Sequence, residues 1–304
     1  MSTDAVFPAR PASILPPSTT WAGPSPHLCQ IRDLIYQVAG ILQPDHRLEF
    51  LEKRCQKRMA AIGAASLRDY YDVLTRSANR TAEMTELLNE ITIGETFFFR
   101  NLPQIEALRK VILPSIVEGK IRLPFSKIRM WSAGCSTGEE AYTLAILLLE
   151  EVGTLKNVKF EVQATDLNER SLEKARAGIY GDYATRNLSP YLRQKYFNPE
   201  GKLLSVKDTV KSVVQFSRVN LLDDSRMTFM KNMDVIFCCN VMIYFDGAAR
   251  KKVVQHFYNN LLSKSHLFLG HSESLFGINQ QFHLVHFPGA TAYYKSDKPA
   301  GGGL

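Results

Sequence analysis

Residues 89–101, NEITIGETFFFRN, set three consecutive phenylalanines between Thr96 and Arg100, so that a hydroxyl and a guanidinium bracket one apolar run. A second polar grouping, SAGCSTGEE at 132–140, joins turn-forming Gly134 and Gly138 to the carboxylates of Glu139 and Glu140 at the start of a helical stretch. Free N–H groups at such a helix start suit an anion. The spacing is neither G-x-G-x-x-G nor a P-loop, however, and two adjacent glutamates would repel a pyrophosphate. They suit a positively charged or hydroxyl-bearing ligand, or they complement the helix dipole. ATD at 164–166 ends in Asp166, which would accept hydrogen bonds from ribose hydroxyls or cap the helix that follows. Asn220 in VNLLDD and Asn240 in CCNVMIYF can each donate and accept, as an adenine edge or an amino-acid moiety requires, and each is also an ordinary turn residue.

These groups need a frame that brings them together. From residue 28 to about 110 the apolar spacing is helical, with breaks at Gly40, Pro44, Gly63 and Ser77, which predicts a small all-α N-terminal domain over 28–110. Beyond Pro114, short apolar runs such as KIRMWSAG, KFEVQATD, SVVQFSRV and MDVIFCC alternate with helical stretches. This predicts an α/β domain over 111–296, a mostly parallel sheet with helices on both faces. Ligands of such sheets bind beyond the carboxyl ends of the strands, where Gly134, Asp166, Asn220 and Asn240 all fall. FHLVHFPGATAYYK, alternating around Pro288 and Gly289, predicts a terminal antiparallel edge hairpin. Between about 178 and 212 a helical piece and β-like residues around Pro199 and Gly201 interrupt the alternation, as an inserted subdomain would.

Composition limits the function classes. With 45% hydrophobic and 22% charged residues the chain is an ordinary globular protein, and no apolar run approaches the roughly 18 residues of a membrane span. Residues 1–27, rich in proline, read as an uncleaved disordered tail, and 297–304 as a flexible one. Five cysteines without C-x-x-C spacing predict reduced thiols in a cytoplasmic protein and no structural zinc; Cys238 and Cys239 read as small buried hydrophobes. His256, His266, His271, His283 and His286 lack ligand spacing with carboxylates, so structural roles and no metal are expected. A net charge of +7 favours acidic partners. Basic runs interleaved with aromatics are missing, so nucleic acid is not expected.

Taken in order, ITIGETFFFRN, WSAGCSTGEEAYTLA, ATDLNERSLEKARAGIY, VNLLDD, IFCCNVMIYFD and GHSESL resemble the CheR family, the chemoreceptor glutamate methyltransferases dependent on S-adenosylmethionine, from about residue 30 to 295. The resemblance implies a class I (Rossmann-like) methyltransferase domain carrying a small inserted β-subdomain, plus the all-α N-terminal domain. It implies that Thr96 and Arg100 contact the cofactor from the segment joining the domains, anchored by the phenylalanines. It further implies cofactor contacts from Gly134, Glu139, Glu140, Asp166, Asn220, Leu221 and Asn240. Tyr244 would lie close to the transferred methyl, with Arg100 and Tyr244 orienting carboxylate and cofactor. The chain departs from the family pattern at Cys239, where arginine is usual, at Gly94, where asparagine is frequent, and at Ala141, which replaces a common proline.

The products implied are a glutamyl methyl ester and S-adenosylhomocysteine, formed without a metal. The partner implied is the cytoplasmic helical bundle of methyl-accepting chemoreceptors, in chemotaxis or a related chemosensory pathway, met by a monomer without membrane insertion. Arg47, Arg54 and Arg58 share one helical face beside Lys53 and Lys57, which suits docking on such an acidic bundle. Strand addition of a receptor C-terminal peptide to the insertion stays open. Three rivals remain: a dehydrogenase, opposed by the missing G-x-G-x-x-G, a methyltransferase acting on another substrate, and a cofactor-binding homologue without catalysis, opposed by Thr96, Arg100, Asp166 and Tyr244.

Overall fold

The structure, a computed structural model, describes residues 23–92, 94–123 and 125–297; of the two expected tails, residues 1–22 and 298–304 lie outside these. Four N-terminal α-helices span Pro26–Ala39, Leu48–Ile62, Leu67–Arg76 and Arg80–Ile91. The Ser25 hydroxyl caps the first by accepting from the Leu28 N–H, and Gly40, at φ 68°, closes it in the left-handed conformation. Leu28, Ile31 and Ile35 recur at helical spacing and meet Leu51, Cys55, Leu74 and Leu88 in one buried core. Burial pushes the Cys55 thiol up to about 12, so it packs as an apolar group.

The expected basic docking face on Leu48–Ile62 needs correction at Arg58. Its side chain is only 13% exposed and forms a two-pronged pair with Glu83, at 2.9 and 2.7 Å, while the Tyr70 hydroxyl donates to the same carboxylate at 2.8 Å. Apolar packing of Leu51 and Cys55 turns this side of the helix toward the fourth helix, and the guanidinium goes with it. The guanidinium carbons of Arg54 and Arg47 lie 4.8 and 5.1 Å from the centre of the Phe50 ring.

The helical run does not end at residue 110. Leu102–Ala107, a π-helical turn Leu108–Ile112 and Leu113–Lys120 follow one another, and Ile105, Leu108, Ile112 and Leu113 join the core of the sheet. The seam with the four-helix layer falls earlier, in the segment 92–101.

Among the described residues ten strands follow: β1 Ser126–Ala133, β2 Val158–Asp166, β3 Ile179–Tyr180, β4 Phe197–Glu200, β5 Leu203–Val206, β6 Val214–Arg218, β7 Met233–Cys238, β8 Leu261–Leu269, β9 Phe282–Phe287 and β10 Ala290–Lys295. Seven form one sheet in the order β6-β2-β1-β7-β8-β10-β9. β6, β2, β1, β7 and β8 are parallel, and β10 and β9 form the antiparallel edge. β7 is buried throughout, as a central parallel strand covered on both faces requires, and its one charged residue, Asp234, accepts from Lys120 at 2.6 Å and from the Arg129 N–H at 2.8 Å. Chain order reverses between β1 and β7, so the loops after these two strands diverge and leave a crevice. β3, β5 and β4 form the separate small sheet of the inserted subdomain.

Candidate active site

The crevice is a cleft of about 390 Å³ at the carboxyl ends of β1, β2, β6 and β7, within the range of small-molecule sites. Its first wall is the turn after β1. Gly134 stands at φ 81°, and a Cβ there would come within 2.3 Å of the Val241 side chain, so both backbone conformation and close approach demand glycine. The N–H groups of Gly134 and Cys135 donate to the Thr165 carbonyl at 2.7 and 2.9 Å, and that of Ser136 donates to the Asp166 carboxylate at 2.8 Å. Three successive donors are thereby used inside the protein, which is why this glycine turn does not make a phosphate cradle.

The two glutamates that follow have separate fates. Glu140 lines the cleft, where it accepts from the Ser132 hydroxyl at 2.6 Å. Burial pushes its carboxyl up to about 7, against the pull of Ser132, the Cys239 thiol and the charge of Arg100. Glu139 is a correction to the expected contact set. It is 4% exposed, accepts from the Thr137 hydroxyl at 2.7 Å, and faces Thr137, Lys174 and Tyr180 on the other side of the loop, because successive helical positions point about 100° apart.

Asp166, at the end of β2, accepts from the N–H of Ser136 and, through its other oxygen, from the N–H of Asn168, both at 2.8 Å. These bonds aim the carboxylate into the cleft. Burial raises its pKa, opposed by the two N–H groups. The helix it might have capped is capped instead by Asn168, whose carbonyl oxygen accepts from the Ser171 N–H.

Asn220 and Leu221 lie in the loop after β6, and Asn220 ties this loop to the helical domain: its amide donates to the Val38 carbonyl at 2.9 Å while its oxygen accepts from the Leu222 N–H at 3.0 Å. Asn240, after β7, takes φ 62°, and its N–H donates to Glu273 at 2.8 Å. Glu273 also accepts from Gly270 at 2.7 Å, which gives the GHSES stretch its role of fixing this corner.

The fourth wall is the segment 92–101. Phe98 is fully buried, edge-on to Tyr180 and Phe197 of the inserted subdomain at 5.0 and 5.2 Å, and Phe99 is buried with its N–H donating to Thr143. Phe97 is not a core anchor. It lines the cleft with Thr96, and the guanidinium carbon of Arg186 sits 3.4 Å from its ring centre. Arg100 is exposed at the rim, its guanidinium donating to the Glu95 carbonyl. Tyr244 lines the cleft below; burial raises its hydroxyl pKa, while the charges of Arg47 and Arg100 pull it down and that of Asp166 opposes them. The hydroxyl therefore keeps its proton near neutral pH.

The helical domain closes the cleft from above. The Asn168 amide donates to the Thr92 hydroxyl at 2.8 Å and the Asn89 carbonyl at 3.1 Å, Asn89 accepts from the Glu169 N–H, and Arg170 pairs with Glu90 and Glu86. The Leu42 N–H donates to the Tyr244 carbonyl at 2.9 Å. Thr96, Arg100, Gly134, Glu140, Asp166, Asn220, Leu221, Asn240 and Tyr244 are thus brought to one cavity. Sequence reasoning missed Ser136, whose hydroxyl is buried in the cleft wall with no protein partner; Cys239, which stands where arginine is usual in the family, also lines the cleft, with its sulfur 3.6 Å from the Gln104 amide oxygen.

Comparison with known proteins places this cleft. The profile of the CheR methyltransferase SAM binding domain matches residues 94–290, and that of the CheR methyltransferase all-alpha domain matches 26–92. The chain belongs to the CheR methyltransferase family. It is similar to chemotaxis protein methyltransferase 2 of Vibrio cholerae, 36% identical over 89% of this chain and 93% of that one. It is also similar to the chemotaxis protein methyltransferases of Borreliella burgdorferi, 35% identical over 82% of this chain and 88% of that one, and Salmonella typhimurium, 34% identical over 90% and 91%. The boundary between the two profiles coincides with the seam at 92–101. The chain is thus a methyltransferase of S-adenosylmethionine-binding fold, and among the described residues no helix is long and apolar enough to cross a membrane.

Proposed function

We propose that this protein transfers a methyl group from S-adenosylmethionine to glutamate side chains of chemoreceptors, leaving glutamyl methyl esters and S-adenosylhomocysteine. The observation that carries the reading is the division of charge in the cleft: the carboxylates of Glu140 and Asp166 line its inner walls, while Arg100 stands at its rim beside Tyr244. The inner groups fit the cofactor. The Glu140 carboxylate suits an ammonium, the Asp166 oxygens suit vicinal hydroxyls, and the buried Ser136 hydroxyl lacks a protein partner. Bound there, S-adenosylmethionine supplies a methyl already activated by a cationic sulfur. A glutamate with a reference pKa of about 4.3 is ionised near neutrality, so the protein needs no general base. What the protein must do is hold the carboxylate in line. Arg100 can pair with it through a charge-assisted hydrogen bond, and the Tyr244 hydroxyl, protonated, can donate.

Arg47, just before the helix Leu48–Ile62, and Arg54 on that helix would contact the cytoplasmic helical bundle of the receptor; Arg58 is engaged with Glu83 and is not part of that surface. The enzyme would act in the cytoplasm as a monomer, without metal. Arg100→Ala and Tyr244→Phe are each expected to lower kcat for receptor methylation by tenfold or more, about the worth of one charged or transition-state hydrogen bond, with unchanged circular dichroism. Wild-type rates in both folded variants would remove the assigned roles.

A further inference from the structure

We propose that Arg186, on the inserted subdomain, recognises the substrate: its guanidinium receives a second carboxylate of the receptor segment, an acidic side chain neighbouring the glutamate to be methylated. The inference deepens the glutamate-methylation reading and rests on it.

Arg186 directly follows the short helix Asp182–Thr185, and the chain on either side of it is fastened to the cleft wall. The Phe98 N–H donates to the Ala184 carbonyl at 2.9 Å, Thr185 is fully buried, and the Asn187 amide donates to the Phe99 carbonyl at 3.3 Å. Between these fixed points the exposed Arg186 side chain lies in the corner of two rings. Its guanidinium carbon is 3.4 Å from the centre of Phe97, which lines the cleft, and 3.9 Å from that of Tyr183, and the two ring planes meet at 75°. Stacking of this kind holds the planar group by its face and leaves the N–H groups along its edge to bind an anion.

Those N–H groups are little used. One donates to the Tyr183 carbonyl. Arg58, Arg109 and Arg170 are each paired with glutamates, whereas among the described residues Arg186 forms no ion pair. The Glu95 carboxylate, on the same rim, accepts instead from the Tyr183 hydroxyl. Arg100 has its guanidinium carbon 5.8 Å from the same Phe97 ring, so two cations share one aromatic at the mouth of the cleft. Arg100 lines the cleft and can meet the reacting carboxylate there; Arg186 does not line it, so its partner is a group that stays outside, on the substrate beside the target. A guanidinium already immobilised in a planar fork matches a carboxylate through two parallel hydrogen bonds and loses little freedom in making them. Two such groups at one mouth favour an acidic segment and repel a basic one.

The test is the initial rate of transfer of a radiolabelled methyl group from S-adenosylmethionine to chemoreceptor-containing membranes at varied receptor concentration, for the full chain and for Arg186→Met, which keeps an apolar side chain on the rings and removes the charge. Melting curves and calorimetric titration with S-adenosylhomocysteine accompany both. The expected result is a KM for receptor about fivefold higher in the variant at about 0.05 M salt, the scale of one exposed charge pair, with kcat, Tm and the Kd for S-adenosylhomocysteine unchanged. The ratio of the two KM values should fall toward one at about 0.5 M salt, where the charge is screened. An unchanged KM, or a ratio that ignores salt and comes with a lowered Tm or weaker S-adenosylhomocysteine binding, would mean that Arg186 only fastens the subdomain and would overturn the inference. A lowered kcat at unchanged KM would put the guanidinium on the reacting carboxylate and overturn it equally. Should Arg186→Met fail to fold, Arg186→Gln keeps a planar head on the rings, and the same criteria apply. If wild type labels no receptor, the glutamate-methylation reading falls and this inference with it; failure in the variants alone leaves that reading standing.

Discussion

Arg58→Ala should destabilise the helical domain rather than act selectively on substrate capture. The guanidinium makes two hydrogen bonds to Glu83, at 2.9 and 2.7 Å, and is also 3.8 Å from Glu86. Its own side chain is 13% exposed and that of Glu83 is 7% exposed. Deleting it leaves Glu83 as a buried carboxylate whose remaining partner is the Tyr70 hydroxyl at 2.8 Å. Breaking a buried pair from one side costs about 3–5 kcal/mol, a large part of the ~5–15 kcal/mol that holds a typical domain folded. Urea denaturation followed by circular dichroism reads this directly as a lowered midpoint. The triple variant Arg58→Met, Glu83→Leu, Tyr70→Phe removes the buried members of the network and should recover most of the loss, since Glu86 keeps its pair with Arg170 and no buried charge or hydroxyl is left unpaired. An Arg58→Ala protein with the wild-type midpoint would refute the assignment of Arg58 to the interior.

Other predictions concern the cleft and its roof. Because burial holds Glu140 near 7, it is mostly neutral at pH 6 and mostly charged at pH 8. The advantage of wild type over Glu140→Gln in binding S-adenosylhomocysteine should therefore grow by up to about tenfold across that interval, as calorimetry would show; an advantage independent of pH would contradict it. Asn168→Ala removes the bonds to Thr92 and Asn89 and the cap on Ser171 together, so a loss of about 1–3 kcal/mol in chemical denaturation and weaker cofactor binding are expected. If both stay at wild-type values, the helical domain is not held to the cleft through Asn168.

Much of this architecture was legible because it follows from periodicity. The switch from helical spacing to short apolar runs marks the change of layer, and the Pro288–Gly289 pair marks the edge hairpin that β9 and β10 form. The loops after the strands were legible as the site, since a parallel sheet leaves its ligand groups there. What spacing could not supply was the direction of a side chain. Glu139 and Glu140 are equivalent in sequence, yet only Glu140 reaches the cleft, because a neighbouring helical position turns away. Arg58 shares a face with Arg54, yet Glu83, 25 residues later, draws it inward. Pairing across such a separation leaves no local signal. Residues 102–120 look like a continuation of the helical domain because their own periodicity is helical; only their packing against the sheet separates them.

The central claim is that the protein esterifies receptor carboxylates. The most direct measurement is transfer of a radiolabelled methyl group from S-adenosylmethionine to chemoreceptor-containing membranes, followed by mild alkali. The account predicts label in the receptor band that alkali releases as methanol, as a carboxyl ester must. Label that resists alkali, or no receptor label from a protein that binds the cofactor, would contradict it.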